Sequence, residues 1–325
     1  MSQLNSLFIL IISLFVVSCA SKKNINKTPE SVYKYTNKQA SKIYFNILQL
    51  NDIFKIKPEQ NIKFEKIARV ENLRKNLIKE DNNTMFVVAG NFLPPVTVTT
   101  PEIDNFNAQE QKVVEVLNAM NANLVTFGNN ELGLNYSYLQ ETLNESHFDW
   151  ISSNVLHNKN GRHHYFYKVI NGRKENLNDS YIKEFYGSNG AVVRVGFISA
   201  SSQSLLNTYV YYGDIYEEIK RAYFEIKDKV DIVIGLTNLT IEEDKKLASL
   251  LPNISLIMGG NTYLNSYDKI GNVVITKADS GIKTAYVHRF EYDPISKNIQ
   301  LKSQLKEITT QTPVNSSIQT LIKIK

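Results

Sequence analysis

Apolar residues in this chain come in short unbroken runs that alternate with stretches spaced for one face of a helix. The run Ile43 to Leu50 reads as a strand that stops at Asn51-Asp52. Ile67, Val70, Arg74 and Leu77, with Ala68 and Leu73 alongside, then predict a helix over 62–79. A second strand, Met85–Ala89, stops at Gly90-Asn91. Val113, Val114, Leu117 and Met120 mark another helix before the strand Leu124–Phe127, which ends on Gly128-Asn129-Asn130-Glu131-Leu132-Gly133.

The pattern then loosens and recovers. Phe148–Ser153 reads as strand, whereas 157–190, rich in Asn, Gly and charge, reads as loops with a short β excursion. Val192–Ile198 is strand, and Ile215, Ile219, Ala222, Tyr223 and Ile226 form an apolar stripe on a helix over 213–228. Asp231–Leu236 ends at Thr237-Asn238. A helix over 241–251 leads through Pro252 into Ile254–Met258, which ends at Gly259-Gly260-Asn261. The last β-like segments are 272–276, 284–291 and 297–305, and the pattern fades near Thr309.

Strands alternating with helices predict βαβ units and a sheet covered on both faces, and ligands in such folds gather at the carboxyl ends of strands. Asp52, Asn91, Asn129, Asn130, Asn238 and Asn261 all fall at that edge. Each taken alone has a plain explanation, since Asn, Asp and Gly are what strand-to-loop turns prefer. Five strand ends of one kind point instead to a site.

Composition bounds what such a site serves. A chain of 325 residues with 42% apolar and 21% charged residues buries a large core and is not disordered. The net charge of +5 is spread without a Lys/Arg block, which excludes nucleic acid as the expected partner. At the N-terminus, Leu7 to Val17 is apolar apart from Ser13, too short to span a bilayer and the length of a signal-peptide core. It runs into Val16-Val17-Ser18-Cys19, which resembles a bacterial lipobox. Residues 1–19 are thus expected to be a lipoprotein signal, Cys19 the lipidated residue, and 20–40 a flexible tether. Cys19 is the single cysteine, so no disulfide partner competes for it.

The strand ends carry a resemblance. Asn51-Asp52-Ile53-Phe54, Ala89-Gly90-Asn91, Leu117-Asn118-Ala119 with Gly128 to Gly133, Leu236-Thr237-Asn238, and Gly259-Gly260-Asn261-Thr262-Tyr263 follow one another in the order of the calcineurin-like metallophosphoesterases. The chain looks like the N-terminal domain of the periplasmic 5′-nucleotidases. Ser153-Asn154-Val155, Asp244, and Ala278 with Gly281 fit the same pattern. The resemblance spans about 43 to 310 and implies a four-layer α/β/β/α sandwich over 41–310, with 311–325 as a tail.

Working members of that family are expected to hold two divalent metals about 3.5–4 Å apart that activate water against a phosphate ester. Against that pattern Phe54, Asn238, Asn261 and Tyr263 stand where metal-binding histidines belong, and Asn91 where the bridging aspartate belongs. Asn130 stands at the catalytic histidine. Only Asp52 and Asn129 keep the ligand identity, with Glu131 beside them. The five histidines, His147, His157, His163, His164 and His288, lie away from every motif-bearing strand end. The resemblance therefore implies a catalytically inactive member with no metal, its pocket lined by Asp52, Asn91, Asn129, Asn130, Glu131, Asn238, Asn261 and Tyr263. The alternative is an altered hydrolase holding one weakly bound Ca²⁺ or Mg²⁺ at Asp52, Asn91 and Asn129.

The expected setting is the bacterial cell envelope, with the membrane engaged through the lipid on Cys19. Full-length 5′-nucleotidases carry a further C-terminal domain that holds the nucleoside. This chain stops at Lys325, about where that domain would begin. A separate protein resembling that domain is therefore an expected partner.

Overall fold

A computed structural model of the protein describes residues 42–54, 60–95, 112–203 and 207–323. Cys19 and the segments expected as signal and tether lie outside them. Two six-stranded sheets form the centre. The first is built from β1 (Ile43–Leu50), β2 (Thr84–Ala89), β3 (Leu124–Thr126) and β4 (Asp149–Ile151), all parallel. Helix α1 (Gln60–Glu80) links β1 to β2, and the helical residues 112–119 (α2) precede β3. Beyond β3 come α3 (Asn129–Gly133) and α4 (Tyr136–Glu145).

The second sheet repeats the plan. Along the chain after β4 come β5 (Val155–Lys159), β6 (Arg162–His164), β7 (Tyr167–Ile170) and β8 (Arg173–Asn176), which belong to neither large sheet, then β9 (Ser180–Tyr186), which pairs antiparallel with β10 (Val192–Ser201). After β11 (Val210–Tyr212) and α5 (Ile215–Ile226), β12 (Ile232–Asn238), α6 (Ile241–Leu250), β13 (Leu256–Gly259) and β15 (Val273–Lys277) extend β10 in parallel. β14 (Ser266–Ile270) flanks β15 antiparallel. The chain then returns to the first sheet with β16 (Thr284–Tyr292) and β17 (Ile299–Glu307), and ends in α7 (Ser316–Lys323).

Alternation along each strand decides the layers. Phe45, Ile47, Met85, Val87 and Leu124 face the other sheet, against Phe197, Ile234, Leu236, Leu256 and Met258. Phe45 stacks between Phe185 and Phe290, at ring separations of 4.3 and 4.5 Å. The opposite parity, Leu48, Phe86, Val88 and Val125, packs on Ile67, Val70, Leu117, Leu139 and Ile318 of the helices. On the far side Ile198, Val233, Ile257 and Ile275 pack on Ile219, Ala222, Leu247 and Ala248. Helix, sheet, sheet and helix give the expected four-layer α/β/β/α sandwich.

Three expectations need correction. The stretch 157–190 holds five ordered strands or parts of them, not loops with one excursion, because Asn160-Gly161 and Asn171-Gly172 take the positive φ angles of tight hairpin turns (54° and 79°, 51° and 76°). Residues 266–270, for which the pattern predicts no element, are the edge strand β14, whose half-exposed alternation is too polar to read as core. The segment 316–323, expected within a tail, is helix α7 on α1, with Ile318 buried in the same core. Among the described residues no helix is long and apolar enough to cross a membrane.

Candidate functional site

The parallel strands of both sheets deliver their carboxyl ends to one place. Asp52 follows β1, Gly90-Asn91 follow β2, Gly128 to Asn130 open α3 beyond β3, Asn238 closes β12, and Gly260-Asn261 follow β13. Asp52, Asn91 and Asn261 all sit in the left-handed region, at φ of 49°, 54° and 60°. Asn and Asp tolerate that region better than other side chains, which is one physical reason these types occupy the ends. Two glycines let the ends close. A Cβ on Gly260 would lie 2.0 Å from the Ala89 carbonyl, and one on Gly128 would lie 2.4 Å from Asn91 Oδ1.

The side chains brought together bond to one another. Asn91 Nδ2 donates to Asp52 Oδ1 at 2.7 Å and reaches Asn238 Oδ1 at 3.4 Å. Asp52 Oδ2 accepts from Asn51 Nδ2 at 3.0 Å and from the Thr262 backbone N–H at 3.1 Å. Asn91 Oδ1 accepts the Asn130 N–H at 3.0 Å, and Asn238 Nδ2 donates to the Ala89 carbonyl at 2.8 Å. The Asn130 amide is fixed by two carbonyls, Phe54 at 2.6 Å and Leu93 at 2.7 Å. Asp52, Asn91 and Asn238 are buried.

Glu131 holds this arrangement from behind. Its Oε2 accepts from the backbone N–H groups of Asn91 (2.9 Å) and Gly128 (2.7 Å), and Oε1 from that of Leu93 (2.9 Å). One buried carboxylate therefore fastens the β2 and β3 loops together while capping α3. Burial raises its pKa to about 6, against the opposing pull of those N–H groups.

Two of the expected residues stand apart from the cluster. The Phe54 ring, 4% exposed, belongs to the hydrophobic core, and the residue meets the site through its backbone, its N–H donating to the Asn91 carbonyl at 3.0 Å and its carbonyl accepting from Asn130. Tyr263 is 57% exposed, so it sits at the rim and does not line a closed pocket. Asn129 is half-buried, and its buried Oδ1 accepts no hydrogen bond from the described residues.

Would this set of donors fit a pair of dications? The oxygens of the one central carboxylate already receive amide hydrogens, and the Asn91 group nearest them presents N–H, which repels a cation. Among the described residues no three His, Cys, Asp or Glu side chains converge as metal ligands. The residues do not fit a dinuclear centre, because carboxamides supply neither the negative charge nor the imidazole nitrogen that such ions require.

Sequence reading missed the polar groups behind the site. Gln49 lies inside an apolar strand, yet its Nε2 bonds the carbonyls of Gly259 and Thr276 across the sheet interface, both at 3.1 Å. Its Oε1 meets Thr276 Oγ1 at 2.8 Å and His288 Nε2 at 2.9 Å. His288 is fully buried, and burial lowers its pKa to about 3. Lys277 forms a buried ion pair with Asp244 at 2.6 Å and donates to the carbonyls of Leu239 and Gly260. The available signal was a polar residue at an inward-facing strand position, visible at Gln49 and Lys277 alike.

No protein-family model matches the sequence, and no curated protein does. Solved structures match well. The calcineurin-like phosphoesterase YfkN from Bacillus subtilis aligns with a TM-score of 0.68 at 16% identity, over 86% of this chain and 96% of that one. A 5′-nucleotidase precursor from Thermus thermophilus aligns at 0.66 and 16% identity, over 86% of this chain and 58% of its own. The NAD nucleotidase of Haemophilus influenzae gives 0.62 at 14% identity, over 87% and 55%. This chain therefore spans little more than half the length of those two nucleotidases. At such identities what is shared is architecture, and that architecture, two stacked sheets between helices, is the fold of the calcineurin-like phosphoesterases and 5′-nucleotidases.

Proposed function

We propose that this protein is a non-catalytic relative of the calcineurin-like phosphoesterases, held at the cell envelope by a lipid on Cys19, and that it works as a binding or scaffold module. The observation that supports this most is the 2.7 Å bond from Asn91 Nδ2 to Asp52 Oδ1, an amide hydrogen directed at the carboxylate where a metal-dependent hydrolase needs a cation. Among the described residues no imidazole stands at the cluster to lower the pKa of an attacking water or to take up charge on a leaving oxygen. A separate protein resembling the part of the nucleotidases that this chain does not cover is the partner this reading favours.

Metal analysis and activity of the purified lipoprotein test it together. The reading expects no tightly bound transition metal, and no hydrolysis of nucleotides or aryl phosphates with Mn²⁺, Mg²⁺ or Ca²⁺. Two bound metals per chain, or turnover that Asp52→Ala abolishes, would overturn it. Labelled fatty acid that enters the chain but not the Cys19→Ser variant supports the anchor, and a stoichiometric protein recovered with the wild type from membranes supports the scaffold role. One observation favours the weaker-metal reading: the buried Asn129 Oδ1 accepts no hydrogen bond from the described residues. A rise in unfolding temperature with Ca²⁺ or Mg²⁺ that Asn129→Ala removes would establish that ion.

A further inference from the structure

At the other end of the sandwich, where the parallel strands begin, three turns surround a cleft of about 890 Å³. Its walls come from the entry to β1, the α1–β2 connection, the β9–β10 turn and the β16–β17 turn. β1 alone separates it from the Asp52 cluster by roughly 25 Å of extended chain. Two tyrosines stand in it with about half their surface open, Tyr44 at 51% and Tyr186 at 56%. Their strands belong to different sheets, and the Asn83 amide fastens them, donating to the Tyr44 carbonyl at 3.1 Å and the Tyr186 carbonyl at 2.8 Å. The backbones that carry the two rings are thus tied to each other by one side chain.

We propose that this cleft binds a neutral saccharide. Tyrosine offers a flat apolar face with a polar tip and loses little side-chain freedom on contact, which suits a ring that is apolar on its faces and hydroxylated at its edges. The remaining lining supplies short polar groups, among them Asn82, Ser188, Asp81 and Asp293, that can bond hydroxyls at those edges. Charge decides against an anionic ligand. Among the described lining residues Lys42 is the one cation and it is ion-paired with Glu291, while Asp81 and Asp293 remain as carboxylates. The volume accommodates several sugar units.

Saturation-transfer NMR on the full-length protein tests this with maltotriose, triacetylchitotriose and glucose 6-phosphate as probes. At least one neutral oligosaccharide is expected to receive magnetisation. Tyr44→Ala and Tyr186→Ala should each weaken it by about ten-fold or more, and Tyr44→Phe should retain it. Both rings are exposed, so unchanged thermal unfolding is expected of these variants. Asn82→Trp, which fills the cleft from an exposed turn, gives a second route to the same loss. No transfer to either neutral sugar, transfer unaffected by both alanine variants and by Asn82→Trp, or stronger transfer to glucose 6-phosphate would each overturn the proposal.

Discussion

The carboxamide nitrogen of Asn91 lies 2.7 Å from Oδ1 of Asp52, so the centre of the strand-end cluster is a hydrogen bond between a neutral side chain and a charged one. Such a bond is worth more than a neutral pair and costs more when broken inside a closed site.

Asn91→Asp should therefore destabilise the protein, although the two side chains have nearly the same shape. A second carboxylate at that distance removes a donor and adds like charge, a loss of about 3 kcal/mol near neutral pH. The repulsion raises one carboxyl pKa in the folded state only. The folded variant then keeps a proton that the unfolded chain releases, so the loss shrinks as pH falls toward the ordinary carboxylate range. Urea denaturation of both proteins at pH 7 and pH 5 measures the difference. Equal losses at the two values would mean that Asp52 and the introduced carboxylate do not interact.

Lys277 and Asp244 make the buried ion pair beneath Gly260. Lys277→Met leaves a buried carboxylate without its cation and is expected to cost about 3–5 kcal/mol. Adding Asp244→Asn removes that uncompensated charge, so the double variant should be more stable than Lys277→Met alone. The fluorescence of the buried Trp150, the chain's one tryptophan, reports the unfolding in each case.

The layers and the site differ in how far they could be read from sequence. Apolar runs such as Ile43–Leu50 and Met85–Ala89 announce themselves because both faces of a central strand are buried. The strand ends were equally legible, since only a few residue types take up positive φ at Asp52, Asn91 and Asn261. What the residues do there was not legible. Whether an asparagine lines an open pocket or is consumed by its neighbours depends on which carbonyl lies 2.6 Å from it, as Phe54 O does for Asn130. No spacing within a strand encodes that. Gln49 and His288 are 239 positions apart and meet only because β16 returns to pair with β1.

His288 makes the protein acid-sensitive. Its pKa falls from the usual 6.5 to about 3 through burial, so the unfolded chain binds a proton that the folded chain refuses. Stability contributed by the neutral imidazole is complete above pH 6.5 and is lost as pH falls toward 3, on the order of 5 kcal/mol over the window. In His288→Gln, which can still bond Gln49 and Ser303, the dependence of unfolding free energy on pH should flatten over that range.

Glu131 acts in the opposite sense, and the same variant exposes it. Its pKa rises from 4.5 to about 6, so between those values the folded protein holds a proton that the unfolded chain has lost. Stability from this group therefore declines as pH rises from 4.5 to 6, by about 2 kcal/mol. In wild type the larger, opposite slope of His288 covers it. The comparison that isolates Glu131 is His288→Gln against His288→Gln with Glu131→Gln, each followed by urea denaturation from about pH 4.5 to 6.5. The second protein should be less stable at pH 6.5, where Glu131 is mainly a carboxylate whose two oxygens accept the N–H groups of Asn91, Gly128 and Leu93, whereas an amide offers them one oxygen. It should also lose the decline with rising pH that the first protein retains. If both proteins show the same slope, the proton resides elsewhere, and Glu131 fastens the β2 and β3 loops as a permanent carboxylate.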